Sequence, residues 1–248
     1  MIRSGNEDSF AVEADRQRGL FVVADGMGGH AAGEVASEMA VQILQRELTD
    51  LRDLEAPPAA ERVTSALKRA NKAIHDRTLS EVDKQGMGTT ASVLIIAGRR
   101  YLIGQVGDSR VYLLRDGALR QLTKDHSYVQ EQVDAGFLTP EQARYHPYSN
   151  VITRCVGASP DVEPDVYRGE VKLGDIFLVA SDGLTGMVDD RRLQQPLLAR
   201  VPPERMVDAL IAEANGRGGL DNITAILIQV HAVDPVPAQT DEHPVLKP

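Results

Sequence analysis

The sequence predicts an α+β fold in which antiparallel sheets and paired helices stack in layers. Three observations carry this. Short β-branched runs recur in blocks, several are joined by tight Gly-containing links, and the clear helical periodicity comes in pairs between the blocks. Links such as Gly98-Arg99 and Asp116-Gly117 have hairpin chemistry, which means antiparallel pairing and disfavours parallel βαβ winding.

In chain order, residues 10–13 and 20–24 read as the first two strands. Apolar residues then return every three or four positions over 34–54 and 59–82, predicting two helices. Strands follow over 91–97, 101–106 and 111–114, and again over 176–180. A second helix pair is predicted over 191–200 and 203–215, before a last strand at 223–230. Residues 124–154 are polar, hold His126, Tyr145, His146 and Tyr148, and read as a surface subdomain between strand blocks. The Pro-rich stretch 234–248 reads as a disordered tail or linker.

A chain of 248 residues with 42% hydrophobic and 25% charged content can bury one sizeable core, and one domain over 1–233 is expected. The net charge of −9 argues against nucleic-acid or anionic-membrane partners, which call for clustered Lys and Arg. A single cysteine, Cys155, excludes an internal disulfide and a Cys-rich zinc site. It reads as a small buried hydrophobe in a reducing compartment. No apolar run is long enough to span a bilayer and the N-terminus is no signal peptide, so a cytoplasmic protein is expected.

Four aspartates stand at ends of strand-like runs: Asp25 after 20–24, Asp108 after 103–107, Asp182 after 177–181, and Asp221 opening the last strand. Carboxylates presented this way can converge in one cleft. Gly26 and Gly183 follow two of them directly, which lets backbone approach a cation. Oxygen-only ligation points to Mg²⁺ or Mn²⁺. Asp-Gly pairs are also common turn formers, so the turn and the hard-cation readings both stand on the residues alone.

Other chemistries are excluded. The residue six positions after Cys155 is Asp161, not the Arg of a cysteine-dependent phosphatase. No P-loop ending, Gly-x-Ser-x-Gly elbow or His-Glu-x-x-His pair occurs. Gly26-Met27-Gly28-Gly29-His30-Ala31 fits a dinucleotide fingerprint, but a second helix and a hairpin follow where a parallel βαβ unit is required.

The chain resembles the bacterial form of the metal-dependent protein phosphatases, the PPM or type 2C family. The motifs that carry the resemblance run through nearly the whole chain in family order. They are Arg3-x-x-Asn6-Glu7-Asp8, Asp25-Gly26-Met27-Gly28-Gly29-His30, Gly86-Met87-Gly88-Thr89-Thr90, Gly107-Asp108-Ser109-Arg110, Asp125-His126-Ser127, Asn150-x-Ile152-Thr153-Arg154, Ser181-Asp182-Gly183-Leu184 and Asp221-Asn222-x-Thr224.

The resemblance implies a four-layer α-β-β-α sandwich of two antiparallel sheets with a metal cleft between them, and a flap at about 124–154. It implies two or three Mg²⁺ or Mn²⁺ ions per chain. Asp25 would bridge two metals, with the Gly26 carbonyl, Asp182 and Asp221 completing their ligands. Asp108 would serve a third metal. Arg3 would hold the substrate phosphate, its planar fork matching phosphoryl oxygens. Glu7 and Asp8 would hydrogen-bond metal-held water from behind the ligands, with Asn222 beside them. His126 and Arg154 are candidate substrate contacts.

The implied reaction is hydrolysis of phosphoserine and phosphothreonine by direct attack of a metal-bridging hydroxide, without a phosphoenzyme. The implied partners are phosphoproteins and an opposing Ser/Thr kinase, and the chain is expected to be a monomer. Two alternatives share the site: a hydrolase of small phosphoesters, and an inactive phosphoprotein-binding pseudophosphatase. Eukaryotic members carry a histidine directly after the Asp-Gly, where this chain has Met27, so a histidine acid there is ruled out. Family members normally have most of a strand ahead of the position of Arg3, so an unpaired sheet edge and a weakly anchored Arg3 are expected.

Overall fold

The computed structural model describes residues 5–28, 31–199 and 201–233. Arg3, His30 and the tail 234–248 lie outside the described residues.

β1 (Asp8–Ala14) and β2 (Arg18–Met27) form an antiparallel pair, followed by α1 (Ala31–Leu48) and α2 (Pro58–Ser80). β3 (Gly88–Thr89), β4 (Ala91–Ala97), β5 (Arg100–Val106), β6 (Arg110–Arg115) and β7 (Ala118–Gln121) come next. The polar segment folds as α3 (Tyr128–Asp134) and α4 (Pro140–Arg144). β8 (Asp165–Glu170), β9 (Ile176–Ala180), α5 (Asp182–Thr185), α6 (Asp190–Leu197), α7 (Pro203–Gly216) and β10 (Ala225–Gln229) complete the order.

One sheet runs β1-β2-β4-β5-β8, with β3 paired to the end of β2, and the other runs β10-β9-β6-β7. Every pairing is antiparallel. The two predicted hairpins form as expected: Ala97 pairs with Arg100 across Gly98-Arg99, and Arg115 with Ala118 across Asp116-Gly117. Asp116 and Gly117 both adopt positive φ, 51° and 78°, as the tight two-residue turn demands.

Three apolar clusters glue the layers. Leu20, Val22 and Ala24 face Ala36, Leu44, Leu67 and Ile74 of α1 and α2. Phe21, Val23, Leu94 and Ile103 meet Val111, Leu113, Phe177 and Val179 between the sheets. Tyr112, Leu114, Leu178 and Ala180 pack under Leu184, Leu193, Leu197 and Leu210 on the far side. Both faces of β2 are therefore covered, which is why its sequence is continuously apolar rather than alternating. The result is the four-layer α-β-β-α sandwich, with the strand ends that carry aspartates at one end of the inter-sheet cleft.

Some boundaries differ from expectation. α1 stops at Leu48 rather than running to 54, because the buried Arg18 guanidinium donates to the carbonyls of Leu48 and Leu51 and ends the helix. The chain beyond stays packed through Leu51 and Leu54. β1 is an edge strand, and Phe10 and Val12 are 63% and 55% exposed although their pairing partners Val23 and Phe21 lie in the inter-sheet core. Among the described residues, no helix is long and apolar enough to cross a membrane.

Candidate metal and phosphate site

The β1–β2 register sets Asp8 directly opposite Asp25. Asp25 is fixed through its backbone: its N–H donates to Thr90 Oγ1 at 2.9 Å, and its carbonyl accepts from Thr90 N at 2.8 Å and Thr89 Oγ1 at 2.9 Å. Thr90 Oγ1 in turn lies 2.8 Å from Ser109 Oγ, next to Asp108. The two acids are thus held by one chain of hydroxyls.

Asp182 opens α5 instead of ending β9, with Ser181 as the residue before it. Gly183 is required there by space: a Cβ would stand 1.8 Å from the carbonyl oxygen of Asn222. That approach brings Asp182 and Asp221 to the same place. Gly26 is similarly packed, since a Cβ would fall 2.1 Å from the Gly33 carbonyl oxygen and 2.5 Å from that of Glu7.

Asp8 joins the three segments. Its Oδ2 accepts from Ser181 Oγ at 2.9 Å and from Thr224 Oγ1 at 2.7 Å, linking β1 to the chain on either side of Asp182 and β10. Its Oδ1 is buried without a hydrogen-bond partner among the described residues. A buried carboxylate oxygen in that state costs free energy unless something positive or a water meets it.

The electrostatics agree. Burial pushes the Asp25 carboxyl well above the usual range, with repulsion from Asp182 and Asp8 adding to it and a hydrogen bond shared with Asp182. Asp108 is pushed up to about 8, first by burial and then by Asp182 and Asp125, with Arg110 opposing. Asp8 is raised as well, chiefly by burial. Two carboxyls in hydrogen-bond contact must share a proton, which is how such a cluster copes when no cation is bound. Among the described residues, no three Asp, Glu, His or Cys side chains form a ready coordination shell by themselves. A hard cation here would complete its shell with backbone oxygen and water, as Mg²⁺ commonly does. The donor set fits such an ion.

Asn222 has a more specific place than expected. Its Oδ1 accepts from Glu7 N at 3.0 Å and its Nδ2 donates to Gly5 O at 3.1 Å, so it splints the segment that leads back to Arg3 against the Asp221 loop. Glu7 is buried beside Gly33 at the start of α1. Arg3 itself lies outside the described residues.

His126, a candidate substrate contact, has a hydrogen-bonding role in the fold. His126 is 6% exposed, and its Nδ1 accepts from Gly107 N at 3.1 Å while its own N–H donates to Gly107 O at 2.9 Å. Its Nε2 is 3.3 Å from Asp165 Oδ2. Arg154 Nη1 also stands 3.0 Å from Nε2, so Nε2 sits between a donor and the Asp165 acceptor, and burial holds the ring below its ordinary pKa. His126 therefore clamps the backbone of Gly107, next to Asp108. Arg154 is half-exposed, and its Nη1 donates to Glu163 O at 2.8 Å and Asp165 Oδ1 at 3.0 Å. Cys155 is half-buried rather than fully buried, with its thiol raised by desolvation.

The roles that sequence reasoning missed belong mostly to hydroxyls. Ser181, Thr224, Thr90 and Ser109 lie inside the family motifs, but their role in fixing the acid-bearing segments is visible only in the fold. The same holds for Arg110, bidentate on Asp125 and bonded to Tyr112 Oη at 3.0 Å.

The family model for protein phosphatase 2C matches residues 3–214. The chain belongs to the protein phosphatase 2C family. It is accordingly a serine/threonine protein phosphatase by class, of the bacterial type. It is 40% identical over 232 residues to the serine/threonine phosphatase stp of Listeria monocytogenes, covering 92% of this chain and 91% of the relative. The solved serine/threonine phosphatase of S. agalactiae is 37% identical with a TM-score of 0.86, over 93% of this chain and 96% of that one. The catalytic domain of the serine/threonine phosphatase PstP, solved in complex with two manganese ions, is 38% identical with a TM-score of 0.81, over 94% of each chain.

Proposed function

We propose that this phosphatase hydrolyses phosphoserine and phosphothreonine on proteins by direct, divalent-metal-assisted attack of water, in a single domain over 1–233 whose flap spans 124–154. The observation that supports this best is the knot of buried carboxyls at Asp8, Asp25 and Asp108, all pushed upward in pKa by burial and by Asp182. Only a concentrated positive charge makes that arrangement favourable in the ionised form.

Asp25, Asp182, Asp221 and the Gly26 carbonyl would hold two Mg²⁺ or Mn²⁺ ions, and Asp108 with Asp182 a third. When bound, these cations would lower the pKa of a water and neutralise charge on the phosphoryl oxygens. Asp8 and Glu7 would orient water from behind, Asp8 being itself fixed by Ser181 and Thr224. Arg3 would bind the phosphoryl oxygens through its fork, with Asn222 setting the path of the chain that carries it. That this chain keeps Asp25, Asp182 and Asp221 together argues for turnover over passive binding. A Ser/Thr kinase acting on the same proteins, a cytoplasmic location and a monomeric state complete the reading.

The test is hydrolysis of a phosphothreonine peptide by wild type and Asp182→Asn, each with EDTA and with added Mn²⁺ or Mg²⁺. Activity confined to wild type with cation is expected. A folded wild type that stays inactive with cation would instead leave a phosphoprotein-binding role, and faster turnover of small esters alone would favour a metabolite phosphatase.

A further inference from the structure

We infer that Arg144 is a positioning residue for protein substrates, latching the flap to the turn that carries Asp182. The inference rests on the phosphatase reading above. Arg144 closes α4, whose start is set separately by a capping box at Thr139 and Gln142. From the far end its Nη2 donates to the carbonyls of Thr185 at 3.1 Å and Gly186 at 3.3 Å. Those are the last acceptors of the short α5 turn, which a helix end leaves open.

The turn does not need Arg144 for its own shape. Gly186 N donates to Asp182 O at 2.6 Å, Thr185 N to Ser181 O at 3.4 Å, and Leu184 is fully buried in the outer cluster. What the guanidinium adds is the location of the flap. At its base the flap is zipped by Thr153 N donating to His126 O and Tyr128 N to Val151 O, both at 2.8 Å. Between that base and Arg144 lies a polar arm that buries only Val129 and Ala143 on its two helices. An arm with so little core of its own is free to swing about its base unless its far end is tied.

The flap's exposed side carries Phe137, Tyr145 and Tyr148, and the rings of Tyr128, His146 and Tyr148 pack on one another. A small phosphoester is held by the acid cleft alone. A phosphorylated polypeptide extends past the cleft and meets the wall that Arg144 fixes, so the latch should act on protein substrates selectively.

The experiment compares wild type, Arg144→Ala and Arg144→Lys as full chains with saturating Mn²⁺, on para-nitrophenyl phosphate and on a phosphothreonine peptide, together with amide hydrogen exchange. In Arg144→Ala the peptide KM should rise about tenfold, the scale of one charge-assisted bond, with kcat and ester turnover held within about twofold. Arg144→Lys should recover part of the KM, and exchange over 139–148 should quicken in the alanine variant and less in the lysine one. Parallel loss on ester and peptide would overturn the proposal, because it would mean that the Asp182 turn itself had moved. Unchanged exchange over 139–148 would overturn it too. A wild type that turns over neither substrate sinks the phosphatase reading, and the exchange comparison then decides the latch by itself.

Discussion

The acid cleft and the flap lie next to each other and are built on opposite principles. In the cleft, Asp25 and Asp108 sit at the ends of largely buried strands, and hydroxyls of Thr90, Ser109, Ser181 and Thr224 fix the acid-bearing segments from several directions at once. The flap between His126 and Arg154 has two short helices, little buried apolar surface and a few tethers at its rim. Rigid packing lets the cleft hold groups that repel one another, which a loosely tethered arm could not. The cleft is therefore unstable in charge and stable in position, and the flap the reverse.

The largest expected effect tests the first half of that contrast. Asp25→Asn should lower phosphopeptide turnover by on the order of 10³-fold or more, the loss expected when a cation loses a charged ligand. The same change should raise the thermal midpoint of the metal-free protein, because it removes a buried acid that desolvation, Asp182 and Asp8 all oppose. Kinetics and calorimetry on one preparation check both signs. A fall in both would mean that Asp25 is a structural acid.

Next in size is Gly183→Ala. Its Cβ would meet Asn222 O at 1.8 Å, so either the Asp182 turn or the Asp221 loop must move. Overpacking of this kind costs about 1–3 kcal/mol and would separate two proposed ligands. Lower denaturant midpoint together with weaker Mn²⁺ binding by calorimetry is the expected pair. Gly117→Ala, at a positive-φ turn with open space around it, should destabilise without touching Mn²⁺ affinity.

These two sites also show how much the sequence made legible. The run 20–24 ending in Asp25-Gly26 announces both a buried strand and a carboxylate at its end, and the Gly98 and Asp116-Gly117 hairpins announce antiparallel sheets. β8 was missed because Asp165–Glu170 is a half-exposed edge strand whose charged residues mask its pattern. α3 and α4 were missed because caps at Ser127 and Thr139 hold them rather than an apolar stripe. Asp8 reaches Ser181 and Thr224 across 173 and 216 residues, contacts that leave no local trace. His126 reads as a surface histidine in a polar segment, and only the fold shows that it clamps Gly107.

A third expectation concerns pH. The folded pKa of Asp108 is raised from 3.8 to about 8, and those of Asp25 and Asp8 are raised as well. Groups raised in this sense favour the fold fully below their unfolded pKa, and that contribution is lost as pH rises through the folded value. The metal-free protein should therefore lose thermal stability between about pH 4 and 8. Saturating Mg²⁺ or Mn²⁺ should flatten that slope, since the ionised form then has a partner. A metal-free midpoint that climbs over the same range would contradict the proposed carboxyl repulsion.

The smallest expected effect belongs to the flap. Thr139→Ala removes the side-chain half of the α4 capping box, the Thr139 Oγ1 that accepts from Gln142 N at 3.2 Å, and leaves the backbone half, in which Thr139 N donates to Gln142 Oε1 at 2.8 Å. A lost cap costs roughly 1 kcal/mol. Because α4 buries only Ala143, that cost should stay local: faster amide exchange over 139–148, with the global denaturation midpoint and Mn²⁺ affinity unmoved. A global shift as large as that of Gly183→Ala would show the flap to be part of the same cooperative unit as the cleft, and the contrast between the two regions would fail.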